Sequence, residues 1–231
     1  MDGIGVFHAS AGSNEKTVKK LVALLKKYFK TSSTRYISKI ETLLADNRSI
    51  SLIDPILQSI RKDHKGIDPN NLADLSFHIA KTSTNVELVK IAIGLLGLLD
   101  FDNADEVCDV VTTLGLYDDF TLFVVVAASN WTNGNRIIFQ IAKSVIGWGK
   151  IHAVERLEPE TDEIREWILR DGCANGVMDA YLGLTCAMKG NLICVLRQDS
   201  IDDEMFGSVA IIIDALLDEG SVAGISEYEY A

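Results

Sequence analysis

The side chains most able to do chemistry are four histidines, four cysteines and a few clustered carboxylates, and their spacing decides what they could do. His8, His64, His78 and His152 stand far apart, with no HxxxH or HxH among them, so the chain offers no ready pair of imidazoles for zinc or iron. His152 and Glu155 share a helix face at i, i+3, which orients one imidazole but supplies too few ligands for a metal. Cys108, Cys173, Cys186 and Cys194 are spaced 65, 13 and 8 apart, unlike CxxC knuckles or a small disulfide framework, and are read as reduced. Three of them fall in apolar helical pattern, where cysteine acts as a small hydrophobe. The fourth, Cys173, lies in RDGCANG and looks the most exposed, but an acidic neighbour and an expected helix end give it no evident support as a thiolate.

The carboxylates Asp118 and Asp119, Glu158 and Glu160, and Asp202 to Glu204 mostly precede apolar runs, where an acid satisfies backbone donors and the helix dipole. Capping explains them without acid–base catalysis. Trp131, Trp148 and Trp167 hint weakly at a stacking cleft of the kind a glycosidase needs. No glycine fingerprint GxGxxG for a flavin or nicotinamide is present. The sequence calls for no metal and no cofactor, and no catalytic residue is nominated.

The elements that would position any site are helical. The chain has 231 residues, 48% of them hydrophobic, and three prolines, Pro55, Pro69 and Pro159, so long segments run without a ring clash or a missing donor. Asn14 to Phe29 places Val18, Leu21, Val22, Leu25 and Phe29 on one stripe among lysines, making a basic amphipathic first helix. Its expected role is a solvated face, with docking to an acidic membrane surface, an acidic partner or the acidic portion of another copy as the alternatives. Further helices are expected at 33–45, 51–63 and 70–82.

Beyond Thr84 the pattern repeats. Short polar or glycine residues at 85, 119, 149, 175 and 202 each precede an apolar helix, at intervals of 34, 30, 26 and 27. Those helices are expected at 86–99, 120–131, 150–157, 177–188 and 205–217. Shorter ones at 104–114, 135–146, 162–170 and 191–198 lie between them, with glycine or small polar junctions. Each unit holds two helices and cannot bury its apolar face without a neighbour, so the pairs are expected to stack. Expected buried positions include Leu88, Leu122, Val126, Ile138, Leu157, Ile168, Leu182, Leu196, Ile212 and Leu216. Small residues at Ala92, Ala127, Ala153 and Ala210 would let helices approach closely.

GKIHAVERL at 149–157 resembles the second helix of a HEAT-type repeat, and NVELVKIAIGLLG and DDFTLFVVVAASNW are similar to the same element in neighbouring repeats. The resemblance covers about 70–220, with 1–65 compatible with capping helices or degenerate repeats. It implies one all-α solenoid domain over 1–231, a right-handed α-α superhelix of the HEAT-like or armadillo type. In such arrays the second helices usually line the concave surface, which nominates Trp148, His152, Glu155, Arg156, Asp179 and Tyr181 as binding residues. GKIHAVERLEPETDEI with EWILRDGCANGVMDAYLGLTCA is also similar to an uncharacterised bacterial HEAT-repeat family, some members of which carry a limonene hydroxylase label. That label implies a small-molecule-modifying enzyme, yet the sequence displays no haem, flavin or iron motif able to activate oxygen.

The formal charge is −11, distributed unevenly: residues 1–80 hold 12 Lys+Arg against 8 Asp+Glu, and the remainder 10 against 25. A nucleic-acid binder needs the opposite balance, and the acidic later portion argues against a HEAT-like DNA glycosylase. Met1 to Gly12 lacks a secretory pattern, and the apolar runs 91–99 and 122–128 are too short to cross a bilayer, so a cytoplasmic location is expected. The reading that follows is a scaffold for a protein or peptide partner, with an enzyme as the alternative and the oligomeric state open.

Overall fold

The computed structural model describes residues 15–101, 104–220 and 222–228, and all regular structure among them is helical, with no strand. The helices are Glu15–Thr31 (α1), Arg35–Leu44 (α2), Ile53–Lys62 (α3), Pro69–Thr82 (α4), Val86–Leu96 (α5), Asp105–Gly115 (α6), Asp118–Ala128 (α7), Gly134–Ala142 (α8), Gly147–Arg156 (α9), Asp162–Trp167 (α10), Ala180–Gly190 (α11), Leu192–Leu196 (α12) and Asp203–Leu217 (α13). A π turn, Ile168–Gly172, follows α10, and short 3-10 turns lie at Ser49–Ser51 and Ile225–Glu227. Each helix expected from apolar spacing is present.

Local chemistry sets many of the ends. Asp68, Asn85, Thr161 and Asp202 each accept a hydrogen bond from a backbone N–H of the first turn of α4, α5, α10 and α13, and Pro69 opens α4, where its missing N–H costs nothing. Asn191 ends α11 in the left-handed conformation, φ 57°.

The helices gather into two units, one holding the described residues up to Gly115 with Val126–Asn133, the other Leu116–Val125 with the described residues from Gly134 on, so α7 contributes to both. In the first unit α1 packs on α2 and α3, α4 packs on α5, and α2 and α3 reach α5. Helix α5 is its core, with every residue from Leu88 to Leu96 buried, including Lys90 at 4% exposure. Lys90 Nζ lies 2.9 Å from Glu87 Oε1, while Ser49 donates its backbone N–H to Glu87 Oε2 and its hydroxyl to the Glu87 carbonyl. Trp131 closes the end of α5 by donating Nε1–H to the Leu96 carbonyl at 3.3 Å and meeting the Phe101 ring edge-on at 5.4 Å.

In the second unit α8 packs on α9, α9 on α11, and α11 on the π turn and on α13. The side chain of Phe139 on α8 meets Trp167 on α10 at 5.5 Å, and that of Trp148 on α9 meets Tyr181 at 5.1 Å on α11. Aromatic contacts thus join α8 to α10 and α9 to α11.

Several expected positions differ. Val126 is exposed because α7 is apolar all round and turns Phe123, Val124, Val125, Ala127 and Ala128 inward. Leu196 is exposed at the end of the five-residue α12, and Leu122 is half-buried. Ala92, Ala127 and Ala153 are buried as expected, but Ala210 is exposed, so no close helix approach forms there. Helix α9 begins at Gly147, not Lys150, and α11 at Ala180, not Val177, because the residues around Asn175 form a turn of their own. His8 and the segment 1–14 lie outside the described residues.

Candidate functional site

The nominated residues converge in the second unit. Helix α9 carries Trp148, His152, Glu155 and Arg156 at i, i+4, i+7 and i+8, a spacing that keeps them near one another on its surface. The start of α9 depends on a residue free to adopt φ +68°, Gly147, whose N–H donates to the Asn175 carbonyl at 2.7 Å. Asn175 is 1% exposed; its side chain accepts from the N–H of Val177 and Met178 and donates to the carbonyls of Cys173 and Met178. That buried amide folds the loop into α11 and ties it to the beginning of α9, which brings Tyr181 against Trp148.

The Trp148 ring lies 6.2 Å from the His152 ring and 5.1 Å from Tyr181, and all three side chains are half-buried. His152 Nδ1 stands 3.8 Å from Glu155 Oε2, and Arg156 Nη1 stands 3.3 Å from the same oxygen while donating to the His152 carbonyl at 3.1 Å. The His152 contact, against the opposing effect of burial and with help from Arg156, holds the Glu155 carboxyl below the usual glutamate range. Beside this cluster, Lys189 of α11 donates to the Glu155 and Leu157 carbonyls, both at 2.8 Å, capping the end of α9. Asp179 plays a different part: its Oδ1 accepts the Asn175 N–H at 3.1 Å, so it helps build the turn.

The thiols follow burial. Cys173, which the sequence presents as exposed, is 3% exposed, and its Sγ donates to the Asp179 carbonyl at 3.7 Å. The hydrogen bond with Cys173 and complete burial together push the Cys186 thiol up, so Cys186 is held protonated. Cys194 is exposed although it sits in apolar pattern. Half-burial lowers Lys150, partly offset by the charges of Asp171 and Asp179, and its ammonium rests 5.7 Å over the Trp167 ring.

A cavity of about 430 Å³ lies elsewhere in the unit, lined by Arg165, Glu166, Arg170, Asn191, Cys194 and Asp202 among others. Its cations are already engaged: Arg165 pairs with Asp162 at 2.7 Å, and Arg170 forms two bonds to Asp202, at 3.0 and 2.7 Å, and one to Glu166 at 2.9 Å. Among the described residues no group of three His, Cys, Asp or Glu side chains could hold a metal ion, and no helix is long and apolar enough to cross a membrane.

No family model, curated protein or solved structure matches the chain. The site is therefore read from its own geometry: a half-buried aromatic cluster bridging α9 and α11, beside an ion pair and an arginine. Sequence reasoning found the aromatic and charged members. Lys189 and Lys150 carry no such signal, and Asn175 reads only as a helix start, because their roles depend on which backbone groups and rings the fold brings to them.

Proposed function

We propose that this chain is a non-catalytic scaffold of HEAT-like helix pairs, stacked as a solenoid, that binds a protein or peptide through the Trp148–Tyr181 cluster. The contact of Trp148 with Tyr181 carries the reading. Two large rings on successive second helices are half-exposed together, beside Glu155 and Arg156, the combination of aromatic anchor and charged rim on which interfaces concentrate their energy. The matched contacts Phe139–Trp167 and Trp148–Tyr181 support the stacking of pairs, since one links the first helices and the other the second. A rigid support for the rings, from the buried Asn175 turn and the Lys189 cap, suits a surface that binds without rearranging.

The test is purification of the tagged full chain from its native cell, with Trp148→Ala/Tyr181→Ala in parallel and both checked for the same helical circular dichroism. Co-eluting proteins identified with the native sequence and missing from the variant support the proposal. A native chain that elutes without partners, or a variant that keeps all of them, contradicts it.

A further inference from the structure

The last helix presents an apolar stripe to the outside. Met205, Val209, Ile212 and Leu216 of α13 face inward, whereas Phe206, Ala210, Ile213 and Leu217 form a second stripe at the same helical spacing, with Phe206 66% and Leu217 64% exposed. Exposed Asp203, Asp214 and Asp218 run beside it along one edge. The stripe has the four-three spacing of a helix-packing seam, with a small residue, Ala210, where two backbones would approach.

The first helix carries the complementary surface. Val18, Leu21, Val22, Leu25 and Phe29 of α1 are buried in its own unit, and the opposite face exposes Lys16, Lys20, Ala23, Lys27 and Lys30, again at four-three spacing with alanine in the middle. None of these four lysines forms an ion pair with a described residue, unlike Lys19 with Glu15 and Lys26 with Asp63. At 1.5 Å per residue the 17-residue α1 and the 15-residue α13 are about 25 and 22 Å long.

We propose that α13 of one copy packs against α1 of a second copy, head to tail, with the stems of Lys20 and Lys27 lying over Phe206 and Leu217 and their ammonium groups reaching Asp203, Asp214 and Asp218. Long lysine stems cover apolar surface while the charge stays at the edge. The charges select this pairing. Two α13 helices facing each other would set aspartates beside aspartates, and two α1 helices lysines beside lysines, so the unlike surfaces combine. A contact between two different surfaces repeats from copy to copy and does not stop at a dimer unless the rotation closes a ring. One helix on one helix is a small interface, so self-association on the order of 100 µM is expected.

Sedimentation of the full chain from about 1 to 500 µM tests this at low and high salt. At low salt the mass should rise with concentration from the 25.3 kDa of one chain past that of a dimer, and high salt should weaken the association. Phe206→Asp/Leu217→Asp and Lys20→Glu/Lys27→Glu, each retaining native circular dichroism, should each remain monomeric. An equimolar mixture of these two variants should form a dimer and nothing larger, because one retains a working α1 and the other a working α13. If the aspartate variant loses its helical signal, Phe206→Gln/Leu217→Gln takes its place with the same expectations. A native chain that stays monomeric throughout overturns the proposal. So does a native chain that associates while the mixed variants do not, since that assigns the contact to other surfaces. The measurement uses the purified chain and is independent of whether a foreign partner binds at Trp148.

Discussion

Gly183 of α11 lies so close to Ala215 of α13 that a Cβ added to it would come within 2.9 Å of the Ala215 Cβ and 3.0 Å of its carbonyl carbon. Backbone cannot retreat as a flexible side-chain end can, so Gly183→Ala should cost about 1–3 kcal/mol by overpacking. Gly207, also helical, has nothing within 4 Å of its added Cβ, and Gly207→Ala should stabilise by up to about 1 kcal/mol through helix propensity. Urea denaturation of both variants checks the opposite signs.

Arg170 holds Asp202 at 3.0 and 2.7 Å, and the same carboxylate caps α13 by accepting the Met205 N–H at 2.7 Å. Both contacts draw the Asp202 carboxyl far below its usual range. Asp202→Ala removes cap and ion pair and should lower the thermal midpoint by about 2–4 °C, whereas Asp202→Ser keeps a capping oxygen and should recover most of that loss. Equal losses in the two variants would assign the effect to the ion pair.

Acid should destabilise the chain through its glutamates. Burial raises Glu87, but the Ser49 N–H and Lys90 outweigh it, and both Glu87 and Glu155 are held below the ordinary value. A carboxyl with a depressed folded pKa contributes fully above its unfolded value, about 4.3 for glutamate, and that contribution is lost as the pH falls through this range. The denaturation midpoint should be flat from about pH 7 to 5 and fall below it, less steeply in Glu87→Gln. At pH 7 Glu87→Ala should cost about 1–3 kcal/mol, because it removes the carboxylate that accepts the Ser49 N–H and lies 2.9 Å from the Lys90 ammonium.

Much of the helical framework was legible in the sequence, because apolar spacing and capping side chains act locally: Asn85 and Asp202 start α5 and α13 where their types suggest. What local pattern could not supply was the facing of helices that are apolar on several sides. Val126 and Ala210 point outward because the opposite faces of α7 and α13 are the ones covered. The site was partly legible for the same reason. Trp148, His152 and Glu155 share a face by helical arithmetic, but the meeting of Trp148 with Tyr181 depends on the turn that Asn175 organises from within the core. Glycine and polar neighbours suggest a surface loop for Cys173, whereas it directly follows the π turn as a buried residue whose thiol donates to the Asp179 carbonyl.

The Trp148–Tyr181 contact should be energetically coupled. A double-mutant cycle with Trp148→Ala and Tyr181→Ala should give a coupling of about 0.5–1.5 kcal/mol in folding stability, read by urea denaturation. Additivity within about 0.3 kcal/mol would show two rings that merely neighbour each other.

Whether a protein partner covers the Trp148–Tyr181 cluster is decided by amide hydrogen exchange on the chain with and without its co-purified partner. A partner seated on the cluster should slow exchange chiefly in α9 and in α11 with its preceding turn, residues 147–156 and 175–190. Protection confined to other helices, with these two unchanged, would contradict it.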